Sequence, residues 1–229
     1  MKEFLLEIMK TIHLLATLAA FHFCALFVWG QLPSVRFDRL YPPSAQLGSE
    51  VEVVVSGQDL EGVQWLKFSH GGIKAEPKKD EDGEIVANQF IVKVAPNAPL
   101  GIHKGWIGGG KFGASNYRSF VVGDLPQLES GEGGASQEEA FELQLGQVAL
   151  GKSPASKFAW FRFPGKKGQR VLVEVSTKDI DSKLTPSIAL YDSAGLQLRS
   201  DPQNGLLDFT ASSDGEWFVR LNDFLYQGG

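Results

Sequence analysis

Apolar residues recur at every second position along this chain, in short runs cut off by turn residues. Val51, Val53 and Val55 alternate with Glu52, Val54 and Ser56, and "NQFIVKVA" places Phe90, Val92 and Val94 on one face. Val171, Val173 and Val175 oppose Glu174 and Ser176, while Trp217, Val219 and Leu221 alternate with Glu216, Phe218 and Arg220. Successive side chains of a strand point to opposite faces, so a period of two predicts half-buried β-strands. "VQWLKFS", "GIHKGWIGG" and "YRSFVVG" read the same way, and Tyr41-Pro42-Pro43, Gly57–Leu60 and Pro96–Pro99 punctuate them.

Residues 33–123 are therefore expected to form a small antiparallel β-sandwich. The polar, glycine-rich stretch over 124–136 ("DLPQLESGEGGAS") has no apolar periodicity and predicts a flexible linker. A second β-sandwich is expected over 137–229, with a tight turn at Gly165–Gly168 and hairpins turning at Asp192–Gly195 and at Ser212–Gly215. The fold class is all-β, two antiparallel sandwiches in series.

The N-terminus departs from this pattern. From Leu14 to Trp29 the chain is apolar apart from Thr17 and His22, and Val28 and Gly30 supply modest side chains where a signal peptidase reads. A signal peptide over 1–30 is expected, cleaved after Gly30 to leave Gln31 first. Glu3 and Glu7 are out of place in a signal start, and initiation at Met9 gives the more ordinary "MKTIHLL". The alternative is an uncleaved membrane anchor, for which the run is short and interrupted. Export, to the periplasm, the cell surface or the medium, follows from either reading. Cys24, the only cysteine, lies in this segment, so the sandwiches depend on core burial without disulfides. A net charge of -5 and a pI near 5.4 argue against a nucleic-acid partner.

Candidate catalytic groups are few. Downstream of residue 30 the histidines are His70 and His103, in "FSHGG" and "GIHKG", and both read as surface or packing residues. Ser115 in "GASNY" lacks the second glycine of a nucleophile elbow and lies between strands. "GGGKFG" (Gly108–Gly113) fits a G-x-G-x-x-G spacing, but a strand follows it where a phosphate cradle needs a helix. "DEDG" (Asp80–Gly83) lacks the spaced oxygens of a calcium loop and predicts a hairpin turn. No enzyme, cofactor or metal is expected. Trp65, Trp106, Trp160 and Trp217 are either core residues or a stacking platform, and Trp217 and Phe218 are adjacent, so one of them is expected to face outward. Trp160, Trp217 and Phe218 are the candidate binding aromatics.

The second half, "KFAWFRFPGKKGQRVLVEVSTKDIDSKLTPSIALYDSAGLQL" followed by "LLDFTASSDGEWFVRLNDFLYQGG", resembles the bacterial pre-peptidase C-terminal domain: an aromatic "FRF", a "KKGQ" turn, a "DSKL.P" hairpin and a late "DG" strand occur in order. The first half, through "LGSEVEVVVSGQDL", "APNAPLGIH" and "FGASNYRSFVVGDLP", is similar to an immunoglobulin-like module of the IPT/TIG kind. The resemblance implies an Ig-like sandwich followed by a jelly-roll-like one. It also implies a non-catalytic accessory or adhesive role in a larger exported protein, with a polysaccharide, a collagen-like protein or a parent peptidase as the context. Some relatives bind calcium, through an Asp-x-Asp pair ahead of the aromatic strand. Ser156 and Phe158 stand there in this chain, which argues against calcium at that place. Members continue past the glycine pair with one more aromatic strand. Its absence here predicts that "EWFVRLND" presents an unpaired edge to a strand-donating partner, and that the chain alone aggregates or dimerises.

Overall fold

The computed structural model describes Met9, His13 and Ser34–Gly229. The chain divides into two compact units, Met1–Pro33 and Ser34–Gly229. In the first unit Met9 and His13 are helical, and the signal segment, its cleavage at Gly30 and Cys24 lie outside the described residues. Among the described residues no helix is long and apolar enough to cross a membrane.

The second unit is all-β, as its alternating pattern predicts. Its N-terminal half packs two four-stranded sheets face to face. One sheet runs β1 (Arg36–Tyr41), β3 (Glu50–Gln58), β6 (Ile85–Val94), β5 (Ile73–Lys79). The other runs β2 (Ser44–Gln46), β8 (Arg118–Gly123), β7 (Gly101–Gly108), β4 (Trp65–Phe68). Val53, Val55, Phe90 and Val92 from the first sheet meet Leu66, Ile107, Phe120 and Val122 from the second, all of them essentially inaccessible to solvent. Each such side chain contributes roughly 1.5–3 kcal/mol of burial, which explains how this half is held without disulfides. "DEDG" makes the β5–β6 hairpin, where the Asp80 carboxylate accepts the backbone N–H groups of Asp82 and Glu84.

The expected flexible linker is not one throughout: Gln127–Gly131 is a strand, β9, paired in parallel with β11 (Val148–Gly151). Backbone pairing needs no apolar alternation, so a Gly, Ser and Glu composition conceals it. Side chains fix β9 against the first sandwich. The Tyr41 hydroxyl donates to Glu129 at 2.8 Å, Ser44 Oγ donates to Gln127 at 2.9 Å, and Lys152 Nζ lies 4.8 Å from the centre of the Tyr41 ring.

The C-terminal half has a five-stranded sheet in the order β10 (Phe141–Glu142), β12 (Ala159–Gly165), β17 (Gly215–Asp223), β14 (Pro186–Tyr191), β15 (Gln197–Asp201). It is faced by β13 (Arg170–Glu174) and β16 (Leu206–Thr210). Phe163, Ile188, Leu190, Trp217 and Val219 from the large sheet pack on Val171, Leu207 and Phe209 from the small one. The turn at Asp192–Gly195 joins paired strands, as expected. The turns at Gly165–Gly168 and Ser212–Gly215 instead arch from one sheet to the other, because β13 and β16 pair only with each other. A 3-10 turn, Lys178–Ile180, precedes Asp181, whose carboxylate accepts the Ser119 N–H at 2.6 Å. That amide is open because β2 pairs only with Val121–Gly123 of β8.

The expected unpaired edge on "EWFVRLND" is overturned. β17 is the central strand, bonded to β12 from Gly215 to Leu221 and to β14 from Phe218 to Asp223. The sheet's edges are β10 and β15. Beyond β17 the chain folds back on the stretch before β12: Ser156 N–H donates to the Tyr226 carbonyl, and Ser153 and Gly229 exchange backbone bonds of 2.8 and 3.1 Å.

Candidate functional site

The described tryptophans fall into three environments set by strand alternation. Trp217 is 3% exposed, beside Phe163 of the neighbouring strand and with its ring centre 5.4 Å from that of Phe209 in the inter-sheet core, so its ring offers nothing to a ligand. Phe218 does point to the opposite face, but it too is buried, at 8% exposure. The expectation that one of this pair reaches solvent fails because residues 132–142 cross over the outer face of the sheet. Gly134 exchanges backbone bonds with Trp160, Gln137 Nε2 donates to the Asp192 carbonyl, and Ala140 packs with Phe218 and Tyr191.

Trp160, half-buried, remains available beside this strap, tilted on Tyr191 with ring centres 4.9 Å apart. Opposite it on β17 is Arg220. The Arg220 guanidinium carbon lies 4.3 Å from the ring centre of Phe158, just ahead of β12, and 5.4 Å from that of Tyr191 on β14. Its buried Nε–H has no hydrogen-bond partner, and the same holds for Nε of Arg162 two positions along β12. Arg162 is paired with Glu142 at 3.0 Å, whereas no ion pair is found for Arg220 among the described residues. Phe158 is itself 37% exposed, and Phe224, Leu225 and Tyr226 extend the apolar surface past the fold-back. The result is a cation fixed by aromatic rings, with donor capacity left over, at the rim of an apolar patch. A guanidinium so held is preorganised for an anionic or hydroxyl-rich ligand. Sequence reasoning found Trp160 but missed Arg220 and Phe158. Arg220 stands on the outward face of a strand two residues from Phe218, and that juxtaposition is the available signal.

Trp65 and Trp106 share a different surface, the outer face of the β2–β8–β7–β4 sheet. Leu66 and Ile107 are in the core and pair across β4 and β7, so Trp65 and Trp106 point outward. The glycine run explains itself here. A Cβ on Gly108 would fall 2.6 Å from Cη2 of Trp65, and one on Gly109 would fall 2.9 Å from its Cδ1, so the indole lies flat on bare backbone. "GGGKFG" is thus a platform for a ring, closed by the Gly110–Gly113 bridge, and not a phosphate cradle.

The other sequence candidates are engaged structurally. Ser115 Oγ donates to the Asn116 carbonyl and accepts the Ile107 N–H. His103 is buried with Nε2 2.9 Å from the Pro99 carbonyl, and His70 Nδ1 accepts the Gly72 N–H. Their rings are 6.0 Å apart, and neither hydrogen-bonds to Ser115. Among the described residues no group of three or more His, Cys, Asp or Glu stands together. An open recess of about 470 Å³ between β15 and β16 is lined by Arg199, Asp201, Asn204 and Asp208. Asp201 and Asp208 are already taken up there, by loop amides and by Arg170 respectively.

No protein-family model matches this chain, and no curated protein does. Solved structures similar to it include SGBP-B of the Bacteroides ovatus mixed-linkage glucan utilization locus in complex with a mixed-linkage heptasaccharide, at 9% identity and a TM-score of 0.29. That match covers 80% of this chain and 34% of the other, so the chain spans about a third of that protein's length. The D00-D0 domain of intimin is similar at 8% identity and a TM-score of 0.24, covering 80% of this chain and 82% of that one. A chimeric titin Z1Z2 is similar at 12% identity and a TM-score of 0.21, covering 83% and 84%.

Proposed function

We propose that this chain is an exported, non-catalytic accessory or adhesive module. In this reading the second sandwich is of the pre-peptidase C-terminal kind and binds an extracellular polysaccharide or protein through its outer face. The observation that carries it is the Arg220 guanidinium, held by Phe158 and Tyr191 next to the half-buried Trp160 with no ion pair among the described residues. Binding sites are built this way: rigid aromatic anchors give area at low entropic cost, and one fixed polar group gives orientation. The engaged states of Ser115, His70 and His103 support a binding role over hydrolysis, since a nucleophile needs a base within hydrogen-bond reach.

The test is retention of the purified full chain on insoluble polysaccharides and on collagen, compared with Phe158→Ala and Arg220→Gln. Retention by one matrix, reduced about tenfold in affinity by either substitution at an unchanged melting temperature, is the expected result. Retention by none of the matrices would refute the reading, and so would equal retention by all three proteins.

A further inference from the structure

We infer that the outer face of β4, β7 and β8 is a second docking surface, separate from the Arg220 patch, and that its occupant is a carboxylated polysaccharide. The argument begins with what the face lacks. The outward positions on these strands are Trp65 and Lys67 on β4, Ile102, Lys104, Trp106 and Gly108 on β7, and Ser119 and Val121 on β8. Not one of them is acidic, in a chain whose net charge is -5.

The opposite face of the same sandwich shows what a merely solvated sheet looks like in this protein. There Lys78 pairs with Glu52 at 2.7 Å, and Lys93 lies 3.1 Å from Glu76 and 3.9 Å from Glu50, so cations and carboxylates interleave. On the tryptophan face no ion pair to Lys67 or Lys104 is found among the described residues. Instead each ammonium rests over a ring: Lys67 Nζ is 4.7 Å from the centre of Trp65, and Lys104 Nζ is 4.5 Å from that of Tyr117. Asp181, the carboxylate that approaches β8 from the second sandwich, is turned to the Ser119 amide. Rings therefore hold both ammonium groups in place without neutralising them.

Shape selects the class of polyanion. Trp65 lies flat across Gly108 and Gly109, and Trp106 is its diagonal neighbour, opposite Lys67. Trp65 is covered by glycine backbone on one side and by the Lys67 ammonium on the other, so Trp106, outward on β7, is the ring that meets the C–H face of a sugar, while the flanking ammonium groups donate hydrogen bonds to its carboxylates. Across β7 and β8 an acidic peptide finds no open backbone ladder, because each is bonded to a neighbour on both sides, and the only sheet edge here is that of β4 at the margin of the face. Nucleic acid would call for many more cations than two.

The test is binding of the full chain to immobilised polygalacturonate, with a neutral glucan and double-stranded DNA as comparators. The variants are Lys67→Gln/Lys104→Gln and Trp106→Ala, with Lys78→Gln, a lysine of the opposite face, as the control. Expected are retention on polygalacturonate that weakens as salt is raised, no retention on the neutral glucan or on DNA, and about tenfold weaker binding for the double lysine variant. Trp106→Ala is expected to weaken binding comparably, with no change in salt dependence. Lys78→Gln, on the opposite face of the same sandwich and in neither surface, is expected to bind as the parent does. Failure to bind polygalacturonate, equal binding by the double lysine variant with an unchanged melting curve, or retention on DNA as strong as on polygalacturonate would each overturn the inference.

Discussion

Gly108 carries more of this protein's character than its size suggests. It is the outward residue at the end of β7, and the Trp65 indole occupies the space its side chain would need. Gly108→Ala forces the indole off the strand. The expected result is a loss of roughly 1–3 kcal/mol in denaturant unfolding, and Trp65 should become more solvated, read as a red shift in tryptophan emission. Asp223 is the other residue with consequences out of proportion. Burial pushes its carboxyl up, but the backbone N–H groups of Thr185 and Gln227, at 3.0 and 2.8 Å, and those of Leu225 and Gly228 outweigh that and hold it below the ordinary aspartate value of 3.8. A depressed carboxyl contributes stability that is complete above its unfolded value and is lost as pH falls through the lower folded one. Asp223→Asn should therefore cost about 1–3 kcal/mol at neutral pH, where an amide replaces an acceptor-only group. It should also flatten the fall in melting temperature below pH 3.8, the value from which this carboxyl is depressed.

Among the elements, β17 decides the second sandwich. It is bonded on both sides and supplies Trp217, Val219 and Leu221 to the core. Its amides from Phe218 to Leu221 should exchange with deuterium more slowly than those of the edge strand β15. Trp217→Ala should cost about 3–5 kcal/mol. The alternation that makes β17 a strand is plain in the sequence, and so are the faces of β3, β6 and β13. Val53, Phe90 and Val171 sit in the core where their period places them. Sheet membership was not legible. Gly168 and Gly215 have the local chemistry of hairpin turns, yet both turns carry the chain between sheets, because partner choice is a long-range matter that turn residues do not encode. The strap over Phe218 was hidden for the same reason. Nothing in "GEGGASQEEA" announces that Ala140 will bury an aromatic on a strand about eighty residues later. The setting of Arg220 is hidden too, because Phe158, just ahead of β12, and Tyr191 on β14 come beside it only through the pairing of β17 between those strands.

For the molecule as a whole, the join between the sandwiches matters most. Tyr41 and Ser44 grip β9, and Asp181 reaches β8 from the other half. Burial, with the Glu129 hydrogen bond and charge adding to it, pushes the Tyr41 hydroxyl from 10.0 up to about 12. A raised value contributes stability that is whole below the unfolded pKa and disappears as pH rises through the folded one. The join should thus weaken between pH 10 and about pH 12, as the phenolate forms against Glu129. Tyr41→Phe should remove that alkaline limb from the melting profile. Combined with Asp181→Ala, it should split one calorimetric transition into two. The pairing of β9 has one more result. Proteases bind their substrates as extended strands with free backbone edges, and residues 127–131 have lent one of theirs to β11. A stretch whose glycines and glutamates advertise an easy cut is thereby withheld. A Glu-specific protease should cleave at Glu81, in the exposed β5–β6 turn, well before Glu129.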